Sequence, residues 1–293
     1  MTIYNHPYAH TKKGHPSLVE LELTSACNMK CIFCPRHLFA HPKMMASETF
    51  SQVLFRLAEG GMKYVKLAGI GEPTLHNDLL WAMRKINEAG LMVLLNTNGS
   101  RLHRWNLDEI LSLCTEIIVS FHSLNPDTHK KIFGVDYYTQ VLSNIKKLLK
   151  ANERYNRTIT LYVVLTALNH DAVSEIKKFF GSQVQIRASG CTNRTLEGFT
   201  ENLSDQEINR QYNHYPTVSE KNPRCGYTEA ALVIDSQGQY LLCTNDVKRN
   251  AGLKTVWDKS ISKVFSEIDC GFDNGRFIEY CRKCDNFEKL DKR

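Results

Sequence analysis

The chain has 293 residues, 42% of them hydrophobic and 23% charged, with a formal net charge of +6. That composition is globular and excludes an intrinsically disordered chain. The length suits one large domain, or a medium domain with a small appendage, and no apolar run approaches the roughly 20 residues of a membrane span.

The lysines and arginines are scattered, with no dense basic stripe interleaved with aromatics, so nucleic acid is not an expected partner. The mild positive excess suits an anionic substrate or cofactor. Lys146-Lys147 and Lys177-Lys178 read as solvated helix faces. Residues 1–14 are polar and basic and lack the apolar stretch of a secretory leader, so a cytoplasmic location with no membrane partner is expected. Ten cysteines are many for a reducing compartment, which brings metal or cluster binding forward.

In chain order, the pattern predicts a strand at 18–23, a helix at 48–59 and a strand at 64–68. A helix at 79–89 follows, with Asn77 as its cap and Gly90 as its stop. Next come a strand at 91–96, a helix at 107–113 and a strand at 117–121. The helix at 138–152 has Val141, Leu142, Ile145, Leu148 and Leu149 at helical spacing. A strand at 158–165, a helix at 173–180 and a strand at 184–187 complete six alternations. Such alternation implies an α/β fold with a parallel sheet. Six units fall short of the eight of a closed barrel, so an open, partial (β/α)6 barrel is expected over 1–188. Beyond it, 189–224 reads as a linker over the barrel mouth, with a helix at 205–212 capped by Ser204. A small C-terminal domain, 225–293, has a hairpin of 231–234 and 240–242 around Ser236-Gln237-Gly238.

Cys27-Asn-Met-Lys-Cys31-Ile-Phe-Cys34 stands in the loop after the first strand. Three thiolates at this spacing suit a [4Fe–4S] cluster with one open iron. The competing reading is structural zinc with His37 as a fourth ligand.

The motif resembles that of the radical S-adenosylmethionine (SAM) superfamily, Cys-x3-Cys-x-aromatic-Cys, with Phe33 in the aromatic position. Further elements fall in register over 18–188. Gly69-Ile70-Gly71-Glu72-Pro73 is similar to the family's Gly-Gly-Glu-Pro turn, with Ile70 inserted between the glycines. Asn96-Thr97-Asn98-Gly99 resembles its Thr-Asn-Gly element. Ser120, before Phe121-His122, stands where a ribose or carboxylate contact belongs, and Val164 where backbone meets adenine. The resemblance implies that SAM chelates the open iron, with Phe33, Gly71, Glu72, Asn98, Ser120 and Val164 around it. It further implies reductive cleavage to a 5'-deoxyadenosyl radical that abstracts hydrogen from substrate, driven by an external flavodoxin- or ferredoxin-like donor.

Cys225, Cys243, Cys281 and Cys284 form a second set, which suits either a fully ligated [4Fe–4S] cluster or zinc. Cys225-x12-Gly238-x4-Cys243 resembles the start of a SPASM domain, and Val256-Trp257 before a helix and Cys281-x-x-Cys284 fit its shortened twitch form. In this the chain is similar to twitch-type dehydrogenases of aminocyclitol antibiotic biosynthesis. The resemblance implies a second cluster that carries an electron. The same set is also suited to stapling a region with little core.

Strand alternation places Val19, Leu21 and Leu23 outward, and Glu20, Glu22 and Thr24 inward. It likewise turns Gln185, Arg187, Thr160, Tyr162, Ser120 and His122 inward. This polar lumen suits a small hydroxylated or amino-bearing molecule or a peptide. Glu22 and His122 are candidate catalytic residues. Arg194, in Ser189-Gly-Cys191-Thr-Asn193-Arg194, matches an arginine near substrate in the twitch dehydrogenase. Cys191 is a candidate hydrogen-atom donor, which would make the enzyme an epimerase. Cys114 reads as core, and Cys270 as part of a Gly- and Asp-rich loop. Three outcomes remain open: dehydrogenation, epimerisation, or a non-catalytic iron–sulfur or zinc protein.

Overall fold

The computed structural model describes residues 16–38, 41–191, 228, 231–246 and 251–281. The helix expected at 205–212 lies outside them.

Among the described residues, eight strands form one sheet: β1 (Leu18–Leu21), β2 (Tyr64–Leu67), β3 (Met92–Thr97), β4 (Cys114–Ser120), β5 (Thr158–Leu165), β6 (Gln185–Gly190), β7 (Leu232–Ile234) and β8 (Tyr240–Leu241). Their order is β6-β5-β4-β3-β2-β1-β7-β8. The first six pair in parallel, as the strand-helix alternation requires. Helices α1 (Ser47–Glu59), α2 (Leu79–Glu88), α3 (Leu107–Leu113), α4 (Pro126–Phe133), α5 (Tyr138–Asn152) and α6 (Ala172–Phe180) follow the strands. Two more, α7 (Ile261–Asp273) and α8 (Arg276–Cys281), follow the hairpin. No described helix is long and apolar enough to cross a membrane.

The hairpin does not stand apart from the sheet. β7 pairs in parallel with β1, Val19 opposite Leu232 and Leu21 opposite Ile234, and β8 pairs antiparallel with β7. The C-terminal region therefore continues the sheet past β1.

Several local expectations shift. α2 starts from Asp78, not Asn77, and the Asp78 side chain makes no capping bond. Instead the Asp78 N–H donates to His76 Nδ1 at 3.2 Å. β4 begins at Cys114, which is buried. Cys270 lies in α7 rather than in a loop, and is exposed; the helix runs on through Gly271, where a side chain would meet the Phe277 ring. The sequence reading missed α4. Asn125 caps it by accepting from the Thr128 N–H at 3.0 Å, Pro126 opens it, and Gly134 closes it at φ 67°.

The outward face of the sheet packs Val19, Leu21, Val65, Leu67, Val93 and Leu95 against the helices. The inner face holds charges in pairs. Glu20 accepts from Lys66 Nζ at 2.9 Å, across the register of β1 and β2. Glu116 is wholly buried, accepts from the Thr160 hydroxyl, and meets Arg187 at 2.9 Å. Gln185, expected inside, is exposed because β6 is an edge strand. Removing one partner of a buried ion pair leaves the other charge stranded, so Arg187→Met should lower unfolding free energy by about 3–5 kcal/mol. Adding Glu116→Gln should recover part of that loss. Urea denaturation of both variants measures it, and an unchanged midpoint in Arg187→Met contradicts the account.

Candidate functional site

The three cysteines of the first set occupy the loop from β1 to a short 3-10 turn, Pro35–Leu38. The loop is pinned on several sides. The Thr24 hydroxyl donates to Lys43 O at 2.9 Å and accepts from the Ala26 N–H at 3.0 Å. The N–H groups of Lys30 and Ile32 donate to Phe133 O and Ile132 O, at 2.8 and 3.0 Å, which ties the loop to the end of α4. Gly134 lies so close that a side chain there would sit 2.4 Å from Lys30 O. Asn28 donates to Ser100 Oγ at 2.8 Å, and Asn98 Nδ2 donates to Asn28 Oδ1 at 3.0 Å. Asn98 Nδ2 also lies 3.9 Å from Cys27 Sγ.

The second piece is the turn after β2. A side chain on Gly71 would lie 1.8 Å from Thr24 O, so only glycine fits. The Glu72 N–H donates to Ala26 O at 2.7 Å, locking turn to loop. The Glu72 carboxylate is buried. Its Oε1 accepts from the Thr74 N–H at 3.1 Å and from the Thr74 and Thr97 hydroxyls at 2.6 Å each. Its Oε2 accepts from the Asn98 N–H at 2.6 Å and retains capacity for one further donor. Burial raises the Glu72 pKa against the pull of these donors.

Donor chemistry and shape both fit a thiolate-bound cluster beside a small bound amine. Burial pushes the Cys27 thiol up to about 12, with the Glu72 charge adding to the shift. Cys31 rises well above its ordinary value, through burial and then through Cys34 and Cys27. Without metal these thiols are protonated, so loading them releases protons. Among the described residues, no three His, Cys, Asp or Glu side chains gather as a single-ion site.

An aromatic stack underlies the loop. The Phe33 ring meets His122 edge-on at 5.3 Å, and His122 stacks on Phe133 at 4.6 Å. His129 follows at 4.4 Å and Tyr138 lies 5.4 Å beyond it. His122 is buried, and its Nδ1 accepts from the Val164 N–H at 3.2 Å. It is therefore closed off, and it shapes the backbone at Val164, whose carbonyl accepts from Asn169 Nδ2 at 3.0 Å. Burial lowers the His122 pKa to about 3, so the ring is neutral at pH 7.

Of the other expected residues, Ser120 is half-buried at the end of β4, opposite Tyr162. Tyr162 and Ser189 share a hydroxyl hydrogen bond of 2.6 Å. Both Glu22 oxygens are engaged, by the Ile70 N–H at 2.8 Å and the Ser236 hydroxyl at 3.0 Å. Cys191 is buried just beyond β6, with its N–H donating to Leu165 O at 2.9 Å. Cys243 is half-buried after β8, in a turn whose Asp246 carboxylate accepts from the Leu242 N–H at 3.2 Å. Cys281 is buried at the end of α8. The loop carrying Cys243 is tied to α8 through Arg276 Nη2, which donates to Ala251 O at 2.8 Å. Arg194, Cys225 and Cys284 lie outside the described residues, and no disulfide joins the eight described cysteines.

Sequence reasoning did not single out Ser236, Asn169 or His129. Buried atoms without a hydrogen-bond partner, among the described residues, are Asn96 Oδ1 and both ring nitrogens of His129.

The fold and this edge define a class: a parallel α/β protein with a three-cysteine loop and a glycine–glutamate turn brought together at the carboxyl ends of its strands. Residues 21–180 match the family model described as the radical SAM superfamily. The chain belongs to the radical SAM superfamily. Membership implies a [4Fe–4S] cluster and SAM as cofactors. A probable GTP 3',8-cyclase of Sulfurisphaera tokodaii is 35% identical over 167 residues, covering 55% of this chain and 51% of that protein. One from Methanothermobacter thermautotrophicus is 26% identical over 205 residues, 69% of this chain and 64% of the relative. The chain thus spans about half the length of the first relative. Among solved structures, anSMEcpe with bound AdoMet and Cp18Cys peptide aligns at TM-score 0.61 and 18% identity, over 92% of this chain and 86% of that one. BtrN in complex with AdoMet and 2-DOIA aligns at 0.54 and 14%, covering 92% of each. Streptococcus suis SuiB bound to precursor peptide SuiA aligns at 0.65 and 14%, over 93% and 70%. At these identities the structures share the fold.

Two predictions follow from this geometry. Gly71→Ala should separate turn from loop and weaken SAM binding by about tenfold or more, ~1.4 kcal/mol, with the circular dichroism spectrum unchanged; equilibrium dialysis measures it. His129→Phe should stabilise the protein by about 1–3 kcal/mol, since it removes two unsatisfied buried ring nitrogens. The gain should grow with acidity. Burial lowers the folded His129 pKa to about 4, so between pH 6.5 and 4 the unfolded chain holds the extra proton and the wild type loses stability. Urea midpoints that keep the same separation at pH 7.5 and pH 5 rule this out.

Proposed function

We propose that the chain is a radical SAM oxidoreductase acting on a small polar molecule, of the sugar, aminocyclitol or peptide class. Cys27, Cys31 and Cys34 hold the SAM cluster, and Cys225, Cys243, Cys281 and Cys284 hold a second [4Fe–4S] cluster. Reduced by an external one-electron donor, cluster and SAM supply a 5'-deoxyadenosyl radical. The substrate carbon gives a hydrogen atom to that radical, then loses one electron to the second cluster and one proton to solvent, becoming a carbonyl or imine. Gly71, Glu72, Asn98, Ser120 and Val164 position SAM, with Phe33 and His122 packed beneath the loop. The Tyr162–Ser189 pair and Arg194 receive the substrate.

The observation that carries this reading is the pairing of β7 with β1. β1 leads into Cys27, and the hairpin begun by β7 leads into Cys243. Cys27 lies past the carboxyl end of β1, and β8, antiparallel to β7, returns Cys243 to the level of the start of β1, so Cys27 and Cys243 are held at opposite ends of adjoining strands of one sheet, a fixed frame that supports one-electron exchange between the two sets.

A second reading rests on Cys191, whose thiol is buried at the rim beside the end of β5. There it donates a hydrogen atom to the opposite face of the substrate radical, and the resulting thiyl takes an electron from the second cluster and a proton. The product is an epimer.

Anaerobic reconstitution tests both. About eight irons and eight sulfides per chain are expected for two [4Fe–4S] clusters, with release of methionine and 5'-deoxyadenosine on reduction. Candidate aminocyclitols, sugars and peptides are assayed alongside GTP, the substrate in the relatives' name. Cys281→Ala with Cys284→Ala should halve the iron and stop oxidised product while SAM is still cleaved. Full oxidation by that variant, or zinc in place of iron, overturns the proposal. Solvent deuterium in a product that disappears with Cys191→Ala selects the epimerase.

A further inference from the structure

We propose that Glu22 is a positioning residue for the SAM-binding turn, and the link through which the C-terminal hairpin sets that turn's shape. The inference rests on the reading that SAM occupies the turn 69–73. Glu22 follows β1 directly, and its two carboxylate oxygens reach in different directions. Oε2 accepts from the Ile70 N–H at 2.8 Å. Oε1 accepts from Ser236 Oγ at 3.0 Å and from the Ser236 N–H at 3.4 Å. The two bonded partners are separated by more than half the chain, and this one carboxylate joins them.

Both partners are themselves fixed. Ser236 sits in the hairpin turn, where Asp235 Oδ1 accepts from the N–H groups of Gln237 and Gln239 at 2.8 and 2.9 Å. The Glu22 N–H also donates to Ile234 O at 2.9 Å, so backbone and side chain of one residue grip the same hairpin. On the other side, Gly69 has φ 128°, and a side chain there would lie 2.7 Å from the Glu22 side chain. The carboxylate therefore occupies the space that the missing Gly69 side chain leaves. Ile70, the residue set between the two glycines, presents the N–H that Glu22 holds. The turn is thus held by hydrogen bonds, at Ile70 to Glu22 and at Glu72 to Ala26 O, and packs at Gly71 closely against Thr24 O, all from one short run of chain. Of these three contacts only the first reaches the hairpin. A carboxylate hydrogen bond to a buried N–H is among the stronger neutral-to-ion contacts, so its loss frees the turn at its least constrained residue.

The test uses the full chain with its clusters reconstituted. SAM affinity is read by equilibrium dialysis, and the environment of the reduced cluster by low-temperature EPR with and without SAM. Glu22→Gln keeps the shape but replaces one acceptor oxygen with a donor. It should raise the SAM Kd about tenfold and alter the spectral change that SAM induces, with iron content at the wild-type level. Ser236→Ala lies outside the SAM site and removes only the hydroxyl bond to Oε1, leaving the backbone contacts of Glu22 with the hairpin in place. It should shift the Kd and the spectrum in the same direction by a smaller factor, and it keeps the proposal testable if Glu22→Gln folds poorly. Wild-type affinity and an unchanged SAM-induced spectrum in Ser236→Ala overturn the link to the hairpin, and the same result in Glu22→Gln overturns the positioning role. A wild-type protein that binds no SAM defeats the proposed function as well, and so is told apart from failure of this inference alone.

Discussion

The carboxyl edge of this protein depends on one close approach, the Gly71 backbone against the carbonyl of Thr24. A methyl group in that gap forces the turn after β2 away from the cysteine loop. With the gap closed, the Glu72 N–H reaches Ala26 O and the Glu72 carboxylate is carried under β3, where four donors meet it. A buried carboxylate is costly unless it is hydrogen-bonded on this scale. The cage therefore fixes three segments at once: the loop after β1, the turn after β2 and the end of β3. The cysteine loop and the two segments beside it come from separate parts of the chain, and this cage holds them in common register.

The far side of the loop is held differently. There the contacts are backbone hydrogen bonds to the end of α4 and a run of stacked rings from Phe33 to Tyr138. His122 serves two masters in that stack. Its ring supports Phe33, and its Nδ1 orders the β5 terminus at Val164. A neutral ring suits both tasks, and burial keeps it neutral. His129 has no such hydrogen-bonding task, and its two bare nitrogens are a local cost to the fold.

The parts of the site that sequence revealed are those written in short spacings. The cysteine loop and the Gly71-Glu72 turn are local patterns, and each demands its residue types for a steric or ligating reason. Strand parity correctly turned Glu20 and Arg187 inward, because alternation is a property of the strand alone. It failed for Gln185, since parity carries no information about which strand lies at an edge. α4 was legible in principle, through Asn125-Pro126 at its start and Gly134 at its end, but its apolar face is only two turns long. What no local pattern contains is the fate of the Glu22 carboxylate, which depends on Ser236, 214 residues away. The parallel pairing of β7 with β1 is hidden for the same reason.

That pairing bears on how the molecule is assembled. β1 is an interior strand of the finished sheet, yet its two neighbours reach it at very different times. β2 lies about forty residues on and can pair early, whereas β7 emerges from the ribosome only after all six parallel strands. Contacts of such long sequence separation form late. Through most of synthesis, β1 exposes one row of unpaired N–H and C=O groups, the sort of edge that recruits foreign strands. Closing the sheet with β7 and β8 removes that hazard, so the C-terminal hairpin acts as the last staple of a core begun by residue 18.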